Sequence, residues 1–106
     1  MEEIGAAQIV RWPHSHPLPD EEVVRFFKAR GLPYSRWSNG PQEVYGVHTH
    51  PYRKILFCLK GSITFTLPDA GESVALRQGD RLIVPPGMRH GAVVGPEGVT
   101  CIEAGE

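Results

Sequence analysis

The sequence predicts an all-β fold, an antiparallel barrel or sandwich of short strands with one short N-terminal helix. Three observations carry that prediction. The 106 residues include 12 glycines and 10 prolines, against usual shares of roughly 7% and 5%. This excess has no Gly-X-Y period and falls between apolar runs, which excludes collagen and a low-complexity linker. From Tyr34 onward the apolar runs are short and each is closed by turn-forming residues. With 41% hydrophobic and 22% charged residues the chain holds enough apolar material for one modest core, and its length fits one compact domain.

Residues 1–33 are expected to form an N-terminal extension and 34–106 the barrel. Within the extension, Ile9-Val10 is a short apolar stretch, and Pro13 and Pro17 bracket His14-Ser15-His16 and hold it extended. A helix is predicted over 19–30. Pro19 suits its first turn, and Asp20, Glu21 and Glu22 complement the positive end of the helix dipole. Val23, Phe26 and Phe27 recur at the spacing of one buried face, Lys28 and Arg30 fit the last turn, and Gly31 supplies a left-handed cap. Strands are predicted over 34–38, 42–50, 54–60, 62–67, 73–77, 81–84, 90–94 and 99–103, with Gly and Pro clusters between them. The 54–60 run has Ile55, Phe57 and Leu59 on one side and Leu56 and Cys58 on the other, so it needs cover on both. The barrel interior would supply one cover and the helix or a second subunit the other, which makes a homodimer an expectation.

Charge and cysteine content narrow the function classes. Eleven basic residues face twelve acidic ones, for a net charge of −1, so the driving force for nucleic-acid binding is missing. No apolar run approaches the roughly 18 residues of a membrane span. The Met-Glu-Glu-Ile start is acidic where a signal peptide carries positive charge. Cys58 and Cys101 lie in apolar runs and are too few for a disulfide framework, so reduced thiols in a cytoplasmic protein are expected.

The histidines carry the chemistry. In His48-Thr49-His50 the two imidazoles fall on one face of a strand, about 7 Å apart, and neutral imidazole suits Zn, Fe, Ni or Cu. His14 and His16 repeat the spacing without supporting context, and a plain extended segment accounts for them.

The spacing of Gly, Pro and His residues around and beyond this pair resembles the cupin superfamily, in particular its small single-domain members. The first cupin motif, G-x5-H-x-H-x3,4-E-x6-G, is matched by His48, His50 and Gly61, with Gln42 at the first glycine and Lys54 at the glutamate. The second, G-x5-P-x-G-x2-H-x3-N, is matched by Gly79, Pro85, Gly87 and His90, with Val94 at the final Asn. The resemblance covers about residues 42–94 and implies a double-sheet jelly-roll barrel. It also implies a divalent transition metal (Zn, Fe, Ni or Mn) held by His48, His50 and His90, acting on a small organic molecule. Dioxygenation, isomerisation and decarboxylation all occur in the family, so the resemblance does not choose a reaction.

Lys54 is the departure from that pattern. No carboxylate nearby in the sequence replaces the glutamate: Glu43 falls on the opposite face from His48, and Gln42 lies too far along the strand. An ammonium about 4 Å from a divalent ion costs roughly 8 kcal/mol at an effective dielectric near 20. Three outcomes stay open. Lys54 is neutral and serves as ligand or base, or it turns outward to a carboxylate, or the site holds no metal and Lys54 anchors an anionic ligand. Arg81 alternates with Ile83 on one face, as an inward anion-binding residue or as a partner of Asp80 or another acid. Two function classes are compatible with these residues. One is a metal-dependent cupin acting on a small, anionic molecule; the other is a metal-free, non-enzymatic ligand-binding cupin.

Overall fold

A strand that is apolar on both faces must lie between two cores, and the strand beginning at Lys54 does. A computed structural model describes residues 1–106. Its elements are β1 (Glu2–Ile4), β2 (Ala7–Val10), α1 (Asp20–Ala29), β3 (Tyr34–Asn39), β4 (Val44–His48), β5 (Lys54–Leu67), a 3-10 turn (Pro68–Ala70), β6 (Glu72–Arg77), β7 (Arg81–Val84) and β8 (His90–Gly105). The strands are antiparallel and run β1-β2-β7-β5-β8-β3, with β6 beside β5 and β4 beside β8. The first half of β5 lies between β7 and the end of β8, and its second half lies between β6 and the start of β8. Two long strands therefore serve both sheets of a jelly roll. The sheet does not close, because β1 and β3 each pair on one side only.

Two pairs of predicted strands are continuous. The runs 54–60 and 62–67 join as β5, and 90–94 and 99–103 join as β8. The glycines that suggested breaks are bends at which pairing continues with shifted register, between Cys58 and Lys60 and between Gly61 and Ile63. Gly61 has φ +71°, and a Cβ there would fall 1.9 Å from the Gly98 carbonyl oxygen. The two long strands cross too closely for any side chain at that corner. The N-terminal extension also contributes strands that its sequence did not announce. β1 and β2 form a hairpin, and β2 joins β7 through Gln8↔Ile83, Ile9↔Leu82 and Val10↔Arg81.

Alternation assigns the faces. Leu56 and Cys58 of β5, Leu82 and Val84 of β7, and Ala92, Val94 and Cys101 of β8 belong to the core between the sheets. Ile55, Phe57, Leu59 and Ile102 belong to a second core, covered by Leu18, Val23 and Phe27. The helix thus supplies the outer cover of β5. Each fully buried side chain of this size contributes about 2 kcal/mol. Pro19 stands at the N-cap, acidic residues fill the first turn, and Gly31 at φ +65° follows the Arg30 C-cap, all within a residue of the predicted ends. No helix is long and apolar enough to cross a membrane. Cys58 and Cys101 are register partners, both buried and unbridged. The neighbouring Cys58, then burial, push the Cys101 thiol up.

The buried Asp80 ties the N-terminal segment to the sheet. One carboxylate oxygen accepts the Trp12 N–H at 3.0 Å; the other accepts Arg11 Nη1 at 2.8 Å and the Arg77 N–H at 3.0 Å.

Candidate functional site

The histidines meet because a bulge and two turns bring them together. β4 pairs with β8 at Tyr45↔Ala92 and His48↔His90, and the register shifts between these pairs. Two partner positions on β8 separate Ala92 from His90 while three separate Tyr45 from His48, so Tyr45 and His48 come to the same side, with His48 at the exposed rim. His50 lies beyond the end of β4 rather than on the predicted strand, and its ring stacks on Tyr52 with centroids 4.8 Å apart. The Gly87 N–H donates to the His50 carbonyl at 2.9 Å, fastening the turn before His90 to the loop after His48.

The three ring centroids lie 4.4 Å (His48–His90), 4.8 Å (His48–His50) and 5.2 Å (His50–His90) apart. One potential ligand atom from each falls within 4.8 Å of the others. His48 Nδ1 is 2.7 Å from the Gly46 carbonyl and His90 Nδ1 is 2.9 Å from the Met88 carbonyl. A carbonyl only accepts, so Nδ1 carries the proton in both and Nε2 keeps the lone pair that a metal uses. The Nε2 atoms of His50 and His90 are buried and have no hydrogen-bond partner. Burial, chiefly, holds both imidazoles below their ordinary pKa, with Lys54 and the neighbouring histidines adding to it; the Met88 carbonyl partly opposes this at His90. The donor set therefore fits a divalent ion: carbonyls orient His48 and His90, and the Nε2 atoms of His50 and His90 are left unsatisfied.

Beside the histidines lies a cavity of about 270 Å³, lined also by Ser35, Trp37, Tyr45, Lys54 and Glu103. Lys54 points into it and not to solvent. Its Nζ lies 3.2 Å from Glu103 Oε2, with the two side chains 12% and 19% exposed. Trp37 Nε1 donates to the other carboxylate oxygen at 2.6 Å. The glutamate missing near the histidines in the sequence thus has a counterpart in space, brought by the Ser35↔Glu103 and Leu56↔Glu103 pairings. Parity puts Glu103 on the same face of β8 as Cys101, and the structure shows that face to be the interior one. The Tyr45 hydroxyl donates to Asn39 Oδ1, and burial, then Glu43, raise its pKa.

Arg81 is not brought to this cavity. Leu82 and Val84 take the interior face of β7, which leaves Arg81 opposite Phe57 on the helix side. Asp80 does not pair with it either, being engaged by Arg11 and two backbone N–H groups. His14 and His16 stack on one another at 5.0 Å beside Trp12 and are exposed, away from the other histidines.

Solved structures share this architecture. A RmlC-like cupin from Shewanella frigidimarina is 26% identical, with a TM-score of 0.62, covering 70% of this chain and 64% of that one. The polyketide cyclase RemF from Streptomyces resistomycificus is 25% identical, with a TM-score of 0.64, covering 70% of this chain and 54% of the cyclase. The DMSP lyase DddQ from Ruegeria pomeroyi is 21% identical, with a TM-score of 0.65, covering 71% of this chain and 38% of the lyase. No curated protein matches the sequence. The family described as "Cupin domain" matches residues 36–103, a span that holds the three histidines, Lys54 and Glu103, and the chain belongs to that family.

Proposed function

We propose that this cupin holds one divalent transition metal through His48, His50 and His90 and takes a small, anionic organic molecule in the adjoining cavity. The buried, unpartnered Nε2 atoms of His50 and His90 carry this reading. An unsatisfied buried polar atom costs about 1–3 kcal/mol, which a shared ion would offset. Bound there, a divalent ion supplies Lewis-acid polarisation of a ligand oxygen or a more acidic water.

The protein's own groups shape what can bind. Three neutral imidazoles and the Lys54–Glu103 pair give the cavity by itself no net charge, so an ion turns it positive and favours an anion. Lys54 has three N–H donors, and Glu103 takes only part of that capacity. Trp37 fixes Glu103, and Glu103 fixes Lys54, which supports Lys54 as an anchor for the anion over its role as a base. The names polyketide cyclase and DMSP lyase denote two different reactions on the same fold, so fold alone selects neither.

A metal-free cupin that binds an anion through Lys54 is the competing reading. Elemental analysis of untagged protein separates the two. A transition metal near one equivalent, lost in His90→Ala, is the expected result. Metal content no higher than in His90→Ala overturns the metal reading.

A further inference from the structure

A second cavity, of about 320 Å³, opens on the other side of β5, between the N-terminal segment, α1 and β7. Its walls include Trp12, Val23, Phe26 and Phe57, with Arg11, Glu22 and Arg81 as charged members. β5 separates it from the histidines: Phe57 faces this cavity, while Leu56 and Cys58 face the interior core.

Arg81 is unusual within it. The guanidinium carbon lies 5.2 Å from the Phe26 ring centroid and 5.5 Å from that of Phe57. Its Nε is buried without a hydrogen-bond partner. Four of the eight arginines have no carboxylate within 4.0 Å, and of these Arg25, Arg30 and Arg77 are exposed while Arg81 is part-buried. Glu22 lines the cavity but is exposed and does not pair with Arg81. Burial, then Arg30 and Arg53, disfavour the charge on Arg81. A part-buried guanidinium without a counter-charge is costly, and a carboxylate is the group that matches its planar donors.

We propose that this second cavity binds a small organic monocarboxylate with an aromatic or branched apolar body. The carboxylate pairs with Arg81 and the body packs against Trp12, Val23 and Phe26. The volume lies at the lower end of the range of small-molecule sites, and a mainly apolar wall with a few charged groups is their usual chemistry; Arg11 is engaged by Glu2 and Asp80, which leaves Arg81 as the cation free to pair. Glu22 at the rim disfavours ligands with a second negative charge. The inference does not depend on a metal at the histidines.

Phenylacetate and its uncharged analogue phenylacetamide are suitable probes. The chain has two tryptophans, one in each cavity, so two indole N–H signals in a ¹H–¹⁵N spectrum report the two sites separately. Trp12→Phe assigns them. Phenylacetate should shift the Trp12 signal saturably and leave that of Trp37 in place. Phenylacetamide and the Arg81→Met variant should each bind about tenfold more weakly, the loss expected for one charge-assisted contact. His90→Ala should leave the affinity unchanged. Should Arg81→Met not fold, Arg81→Lys and the acid-against-amide comparison on the unaltered protein carry the test. No saturable shift at Trp12, equal affinity for acid and amide, or a response at Trp37 alone overturns the proposal.

Discussion

Lys54 Nζ lies 3.2 Å from Glu103 Oε2 inside the cavity that holds the three histidines. The pair is largely buried, so removing one charge leaves the other uncompensated. Lys54→Met should destabilise the metal-free protein by about 2 kcal/mol, measured by denaturant unfolding in the presence of a chelator. The same variant should bind metal more tightly, because it removes a positive charge and frees a carboxylate. Adding Glu103→Gln should reverse both effects. A Lys54→Met protein with unchanged stability and unchanged metal competition would show that the pair is not formed in solution.

The histidines were legible because their spacing is local. His48 and His50 are two residues apart, and His90 comes after a Pro-Gly turn whose geometry is encoded within six residues. Trp37, Tyr45 and Glu103 were not, because register and a bulge place them. Glu103 reaches Lys54 only once β8 has paired with β3 and β5. Arg81 was ambiguous for a different reason. Both faces of β5 are buried, so parity says which residues share a side but not which side is the interior. The same alternation that puts Arg81 beside Ile83 fits a barrel lining and a helix-covered face equally well.

Acidification should weaken the metal-free fold before ordinary carboxylates titrate. His50 and His90 have pKa values below the usual imidazole value, mainly through burial. The unfolded chain therefore takes up protons at these positions first as pH falls. Their contribution is complete above the unfolded value of about 6.5 and is lost as pH drops through the lower, folded values. Thermal melts in chelator should give a flat Tm between about pH 8 and 7 and a decline below about 6.5. The double variant His50→Gln/His90→Gln should show a shallower decline. Equal slopes in the two proteins would place the titrating groups elsewhere.

Gln42 is the one residue other than glycine at positive φ, +65°, and it occupies the position of the first cupin-motif glycine. Its backbone N–H donates to the Val94 carbonyl at 3.2 Å, so the conformation is held by pairing with β8. A left-handed residue with a Cβ costs about 1–2 kcal/mol, and glycine gives back part of that through greater freedom when unfolded. Gln42→Gly should raise stability by about 0.5 kcal/mol, while Gln42→Val should lower it by more than about 1 kcal/mol. A loss of stability in the glycine variant would mean that the Gln42 side chain makes a contact worth more than the backbone strain.

Asp80 connects the fold to the second cavity, since its carboxylate holds the Arg11 and Trp12 segment that forms one wall. In Asp80→Asn the amide nitrogen faces donors in place of an acceptor oxygen, and of the two carboxylates opposite Arg11 only Glu2 keeps its charge. The contacts on both sides cannot survive together, because one oxygen must replace two. The expected cost is about 2–4 kcal/mol in unfolding free energy. Trp12 also packs over Gly79, where a Cβ would fall 2.3 Å from the indole ring. Loosening that segment should therefore weaken phenylacetate binding at Trp12 while leaving metal content unchanged. A variant that loses stability but binds phenylacetate as before would show that α1, Phe57 and Arg81 form the cavity without the N-terminal wall.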